Sequence, residues 1–255
     1  MVNDSVLTKI FFRSFFISTT LNFRRMQNMG FAMAVIPAIR EWNLTQQDTA
    51  EFLTRHLQMF NTHPYLSASV AGAVVRLEEE QVKKKEVDKS VDAIAIKQVL
   101  AGPYAAIGDT FFWGALRPFA AIVSCVLAYA GYFLAPLAFL LLYMPAHVWV
   151  RLKGFLEGYR RGKQGIEFVR MLDLPHNAVN IRWGALGVLA GWAAFLINSH
   201  GNLSFIYSSD FIVKVAAIAT ILGCIGLMKK RISQVYILYG AALIFLVISL
   251  KDFLN

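Results

Sequence analysis

The chain reads as an all-α, polytopic integral membrane protein, and three observations carry that prediction. Of 255 residues, 57% are hydrophobic and only 16% are charged, with a mean hydropathy of +0.51. The apolar residues gather into long blocks, and Phe119 to Val150 contains no Lys, Arg, Asp or Glu. Lys and Arg stand at the ends of those blocks, giving a formal net charge of +9. A soluble domain has to cover its core with polar surface, and this composition leaves too little for that. A bilayer is the solvent that fits. The basic residues flank membrane segments instead of interleaving with base-stacking aromatics, which argues against a nucleic-acid partner.

The N-terminal half is expected to form amphipathic or re-entrant helices. LTKIFFRSFFISTTLNFRR combines Phe11, Phe12, Phe15 and Phe16 with Lys9, Arg13, Arg24 and Arg25. It is too short in apolar run, and lacks the small-residue site, for a signal peptide. Two readings stand for it: a segment lying in the interface of an anionic leaflet, or a helix packed on the body of the protein. Met26 to Ile39 is apolar but too short to span, and Pro37 with Arg40 and Glu41 is expected to stop it. Thr45 and Asp48 resemble a capping box, followed by a helix with Phe52, Leu53, His56, Leu57 and Phe60 on one face. His56 reads as a packed residue of that face, because no second ligand stands at helical spacing. LEEEQVKKKEVDK carries both signs and reads as a solvated cytoplasmic helix or loop. AIAIKQVLAGPYAAIGDTFFWGALRP holds Asp109 among small and aromatic residues, with Gly102, Pro103, Gly108 and Gly114 expected to break the helix.

About five membrane spans are expected to follow. Phe119 to Val150 would reach roughly 48 Å as one helix, beyond a hydrocarbon core of about 30 Å, so a hairpin turning at Gly131 to Pro136 is expected. Further spans are expected at Trp183–Ser199, Phe211–Met228 and Ile232–Leu250, with Gly187 and Gly191 offering a small-residue packing face. From Arg151 to Arg170 six basic residues face only Glu157 and Glu167, a cytoplasmic-loop signature. With this loop and the basic Lys229, Lys230 and Arg231 both in the cytoplasm, the loop after Ser199 and Asn255 are expected outside, and the N-terminus is expected in the cytoplasm. The chain thus divides into 1–118, with the unusual polar motifs, and 119–255, the spanning part.

Polar residues inside apolar sequence are functional candidates, because the bilayer makes them costly. Three clusters qualify: Asn22 to Asn28 (NFRRMQN), Asn61–Thr62–His63 (FNTHP), and Gly108–Asp109–Thr110 with Trp113 (IGDTFFWG). Each combines carboxamide, hydroxyl or carboxylate groups with aromatic rings, the chemistry that recognises a sugar through its hydroxyls and its apolar ring face. The alternative is that they are caps and turns; Asn and Thr before His-Pro would make a good helix stop. No phosphate-binding glycine loop, zinc-protease helix or nucleophile elbow is present. No metal or cofactor is expected. Cys125 and Cys224 lie in apolar blocks where thiolate formation is disfavoured, so neither is a phosphoryl acceptor.

NFRRMQNMGF, VIPAI, RHLQMFNTHP, LEEE and AGPYAAIGDTFFWGALRP, in that order, resemble the IID membrane subunit of the mannose, fructose and sorbose class of bacterial sugar phosphotransferase systems. The resemblance runs from about Phe12 to the C-terminus, and beyond residue 120 it rests on hydropathy and the basic GYRRGKQGI segment. Thr110 follows the Gly-Asp pair where many members have proline, and the loop between Ser199 and Asp210 is short for the family. The resemblance implies a subunit of the cytoplasmic (inner) membrane that pairs with IIC to form the sugar path, as a trimer of IIC–IID pairs with elevator-like motion. It implies that IIA and IIB carry the phosphoryl group on their own histidines. This subunit would then be a non-phosphorylated, non-enzymatic part of a protein-phosphohistidine–sugar phosphotransferase. Sugar contacts or the adjoining gate are expected at Gln27, Asn28, Asn61, Thr62, His63, Asp109, Thr110 and Trp113, with Trp113 as the stacking ring. Arg24, Arg25 and Arg117 are expected to anchor helix ends, and Glu78–Lys89 or Arg151–Arg170 to dock IIB. The alternatives are a scaffold for IIC that makes no sugar contact, and a stand-alone secondary transporter, which few intramembrane charges and no clear inverted repeat disfavour.

Overall fold

A computed structural model describes residues 1–84 and 91–199, with Gly223 and Gly240 as isolated positions beyond them. The chain divides into two compact units, Met1–Ala193 and Ala194–Asn255. Of the second unit only Ala194–Ser199, the end of a helix, and the two glycines are described. The expected spans Phe211–Met228 and Ile232–Leu250, the loop before them, Cys224, and residues 85–90 of the mixed-charge run lie outside the described residues. Among the described residues the regular structure is helical, apart from two single β-bridges. The helices are α1 (Asp4–Arg13), α2 (Asn28–Trp42), α3 (Gln46–His56), α4 (Ser67–Lys84), α5 (Val91–Gly108), α6 (Arg117–Tyr129), α7 (Ala135–Arg161), α8 (Ile166–Met171) and α9 (Leu174–Ser199).

Ile10, Ser14 and Ile17 recur at helical spacing and are buried, while Phe12, Phe15 and Phe16 on the other side stay exposed. The N-terminal segment therefore packs on the body and also presents an aromatic outer face. α1 runs antiparallel to α2, with Asn3 N–H donating to Glu41 and Arg13 donating to the Met33 carbonyl. Gly30 permits the crossing, because a Cβ there would overlap the Ile17 backbone. Pro37 does not stop α2, contrary to expectation; the helix runs through it to Trp42. Proline removes the N–H that would bond the Met33 carbonyl, and Arg13 Nη1 takes its place at 3.0 Å. The helix ends instead at Asn43, in the left-handed conformation at φ 48°. Thr45 caps α3, its hydroxyl accepting from Asp48 N–H at 3.1 Å.

α4 and α7 form the tightest crossing, built on small residues that let backbones touch. A Cβ at Gly72 would overlap the Phe155 carbonyl oxygen, one at Gly158 the Ser69 carbonyl oxygen, and one at Gly154 would lie 3.2 Å from Ser69 Cβ. The small-residue face expected at Gly187 and Gly191 has no described atom within 4 Å of a Cβ built there. Every fourth residue of α7, Tyr143, His147, Arg151, Phe155 and Tyr159, is buried in one stripe. Arg151 thus belongs to a helix interior and not to a basic loop.

The acidic end of α4 is also internal. Glu78 is 0% exposed and Glu79 2%, which corrects the expectation of a solvated run for these two residues. Buried carboxylates need partners, and α3 supplies those of Glu78. Arg55 donates from Nε and Nη2 at 3.2 and 2.7 Å, and His56 Nε2 lies at 2.8 Å. Burial drives the His56 pKa below its ordinary value despite that carboxylate, so a neutral imidazole donates the bond. Burial alone would raise the Glu79 carboxyl, but Lys83, Tyr159 and the N-terminal amine outweigh it and hold it at about 2. Lys97 of α5, 1% exposed, donates to the His56 carbonyl at 2.6 Å and sits over the Phe31 and Phe60 rings. α3, α4 and α5 are therefore pinned by charges that an apolar interior does not screen.

α5 and α6 are not separated by a helix break. A π-helical segment, Asp109–Leu116, joins them into one rod, with Arg117 N–H bonding the Phe112 carbonyl five residues back. Residue 118 lies inside this rod. The turn between α6 and α7 falls where the glycine and proline signals placed it. Gly131 adopts φ 86°, with Tyr132 N–H bonding Leu127 and Gly131 N–H bonding Ala128, a Schellman stop. Among the described residues two helices are long and apolar enough to cross a bilayer, Ala93–Tyr129 and Ala135–Gly165. The turn between them exposes Tyr132, Phe133 and Leu134, and the second helix exposes Leu141 and Trp149.

Candidate functional site: a polar loop against a widened helix turn

The three polar clusters, far apart in sequence, are connected in the fold. Met26 is held in the left-handed region at φ 57°, a conformation costly for a long side chain. Two bridges enforce it: Asn22 with Met26, and Met26 with Phe60. Gln27 N–H then donates to the Phe60 carbonyl at 2.8 Å. The Gln27 carboxamide reads the next residue but one in both directions, Nε2 donating to the Thr62 carbonyl and Oε1 accepting from Thr62 N–H, each at 2.9 Å. Asn28 Nδ2 donates to the Leu57 carbonyl and its Oδ1 accepts from Asn22 Nδ2, both at 2.8 Å. Arg25 reaches the same Leu57 carbonyl at 3.2 Å. α3 ends ahead of the FNTHP loop, at His56, so the loop's Asn and Thr do not serve as its stop. Their backbone is fixed by Gln27 instead.

His63 links this loop to the IGDTFFWG cluster. Its ring stacks on Phe112, centroids 5.2 Å apart at 19°, and meets Trp113 at 4.8 Å and Tyr65 at 4.8 Å. Gly108 makes the approach possible, because a Cβ there would overlap His63 Cβ and Cγ. His63 Nδ1 accepts from Tyr65 N–H at 3.3 Å, which leaves the proton on Nε2. Burial, then the Arg151 charge and His147, push the His63 pKa down to about 4, so the ring is neutral at physiological pH. Its Nε2 and the neighbouring Thr62 Oγ1 are both buried without a hydrogen-bond partner among the described residues. A buried unpaired donor costs about 1–3 kcal/mol, so each such group in a native fold calls for an explanation, a bound ligand, water or ion among them.

The eight expected site residues separate into two layers. Gln27, Asn28, Thr62 and His63 are buried, the first two with their carboxamides occupied. Asn61, Asp109 and Trp113 are exposed and Thr110 half-buried; Trp113 is 46% exposed with its other side against His63. Asp109 forms no ion pair with a described residue. The π-helical turn that displays these groups has a defined cause. Pro118 has no N–H to give the Gly114 carbonyl, and Arg182 of α9 serves it at 3.1 Å while also reaching the Thr110 carbonyl at 3.4 Å. Inserted π turns are frequent at functional sites because they re-aim side chains without breaking the helix.

Several residues of this neighbourhood were not singled out from sequence. Tyr65 and Tyr143 share a hydrogen bond at 3.0 Å, His147 packs against Tyr65 at 4.3 Å, and Arg151 donates to the Pro64 carbonyl at 2.9 Å. The signal was available in the four-residue spacing of Tyr143, His147 and Arg151, which puts three polar groups on one helical face. Among the described residues no three His, Cys, Asp or Glu side chains converge as a metal site.

The polar loop docked on a widened helix turn belongs to a helical protein with apolar helices of membrane-spanning length, and comparison with known proteins identifies its class. A family model described as the PTS system mannose/fructose/sorbose family IID component matches residues 1–254. The chain belongs to that family and is the IID transport component of a mannose-family phosphotransferase permease. It is 36% identical to the fructose permease IID component of Bacillus subtilis over 185 residues, covering 70% of this chain and 65% of that one. It is 29% identical to the mannose-specific EIID component of Escherichia coli K12, covering 94% and 90%. A solved chain described as a membrane protein superposes with a TM-score of 0.73 at 27% identity, covering 99% of this chain and 97% of that chain. A chain from the mannose transporter ManYZ in complex with microcin E492 does so with 0.59 at 26%, at the same coverage.

Proposed function

We propose that this subunit pairs with a IIC subunit in the cytoplasmic membrane and contributes part of the binding and translocation path of a hexose or related sugar. Phosphorylation is performed by separate IIA and IIB proteins, and this chain carries no phosphoryl group. The observation that carries the reading is the pair of buried groups without a hydrogen-bond partner among the described residues, Thr62 Oγ1 and His63 Nε2, on a loop whose His63 ring meets Trp113 of the segment that also carries the exposed Asp109 and the half-buried Thr110. Hydroxyl-rich ligands supply the missing hydrogen bonds, and an indole ring supplies the apolar surface that a pyranose face requires. In this arrangement Asn61, Asp109, Thr110 and Trp113 face the sugar, while Gln27 and Asn28 hold the loop that presents Thr62 and His63. The N-terminus lies in the cytoplasm and Asn255 outside, following the basic residues.

The test separates a sugar-contacting subunit from a scaffold. Asn61→Ala and Trp113→Ala are expected to raise the half-saturating sugar concentration at least about fivefold, roughly one lost hydrogen bond or ring contact, with co-purification of IIC unchanged. Wild-type uptake kinetics in both variants would leave only the scaffold role.

A further inference from the structure

A separate site lies between α1 and α2, away from the polar loop. Val6, Lys9, Arg13, Pro37, Arg40 and Glu41 line a groove of about 360 Å³. Three cations from two helices meet there against one carboxylate, and that carboxylate already accepts the Asn3 N–H at 2.8 Å. Arg13 is oriented rather than free, because Nη1 serves the Met33 carbonyl that Pro37 cannot. Its remaining donors, with Lys9 and Arg40, form no hydrogen bond or ion pair with the described residues. The floor is apolar, made by Val6 and Pro37. The adjoining surface carries Phe12, Phe16 and Met33 at 60%, 64% and 50% exposure.

We propose that this groove holds the headgroup phosphate of an anionic membrane phospholipid, with the acyl chains laid over Phe12, Phe16 and Met33. A phosphate diester fits because guanidinium and ammonium donors converge where a single anion can take several charge-assisted bonds. The exposed aromatic and methionine skirt distinguishes a lipid from free phosphate, which has no use for apolar surface. Basic pockets flanking membrane helices select anionic headgroups in this way.

The experiment is native mass spectrometry of the full chain in detergent, titrated with dioleoyl phosphatidylglycerol, dioleoyl phosphatidylcholine or inorganic phosphate. The wild-type chain is expected to retain the anionic lipid at least tenfold more tightly than the zwitterionic one, undisturbed by millimolar phosphate. Lys9→Gln with Arg40→Gln, both exposed positions, is expected to weaken that retention about twentyfold, roughly fivefold per basic residue. Lys153→Gln with Arg160→Gln, the same charge change on α7, is expected to leave it within twofold. Equal retention of the two lipids by the wild-type chain, unchanged retention in the groove variant, or an equal loss in the α7 variant would each overturn the lipid site. Displacement by inorganic phosphate would overturn it in favour of a free-phosphate site.

Discussion

Replacing Asp109 with Asn is expected to lower sugar uptake by about a hundredfold or more, while the protein still inserts and co-purifies with IIC. The carboxylate opens the π-helical segment and is exposed, with no basic side chain of the described residues paired to it. An unpaired carboxylate on a membrane helix is costly and persists where a ligand or water path uses it. In the proposed sugar path the Asp109 carboxylate would accept hydrogen bonds from two sugar hydroxyls, each worth about 1.5–3 kcal/mol. Asn keeps the shape, loses the charge and replaces one acceptor with a donor, so both bonds are weakened together. The fold does not depend on the charge, because the segment's carbonyls are held by Arg182 and by the backbone. Radiolabelled uptake alongside pull-down of IIC measures both halves, and uptake at the wild-type rate would remove Asp109 from the sugar path.

Gly158→Val is expected to cost about 2–3 kcal/mol through overpacking, lowering the apparent Tm of the detergent-solubilised protein by roughly 5–10 °C. A Cβ at 158 would overlap the Ser69 carbonyl oxygen and lie 3.0 Å from the Ala73 nitrogen. Both are backbone atoms of α4, which cannot swing away as a side-chain tip can. Relief requires the helices to separate, and separation breaks the Tyr159–Glu79 bond of 2.7 Å and the packing of Phe155. Gly102→Val is the control, because nothing lies within 4 Å of that position. Equal melting of the two variants would mean that the α4–α7 crossing tolerates looser packing than its geometry implies.

Signals that depend on a few neighbouring residues were legible in the sequence. The Thr45 cap, the Gly131 turn and the apolar blocks of α6 and α7 are local chemistry and stand as read. What failed depended on partners remote in the chain. Pro37 looked like a terminator because nothing local replaces its N–H; the replacement is Arg13, twenty residues before the Met33 carbonyl that it serves. Gly102, Pro103, Gly108 and Gly114 looked like breaks, yet the helix runs on through a π-helical segment whose Gly114 carbonyl is held by Arg182, 68 residues later. LEEE looked solvated because charge is scored by type, whereas Arg55 and His56 were already waiting on α3. Arg151 counted as a loop cation until α7 carried it into the interior. The polar clusters themselves were legible from the cost of placing such groups in apolar sequence, but not their division into a buried layer and an exposed one. That division follows from the Gln27–Thr62 pair and the His63–Gly108 contact, which no spacing rule contains.

The most direct test of the central claim is uptake and phosphorylation of a panel of sugars in cells lacking their own mannose-class permease. This chain would be expressed alone, with its IIC partner, and with IIC plus IIA and IIB. Sugar phosphate is predicted to accumulate only with the full set, and the sugar that accumulates names the substrate. Transport by this chain alone, or none from an assembled complex across the panel, would contradict it.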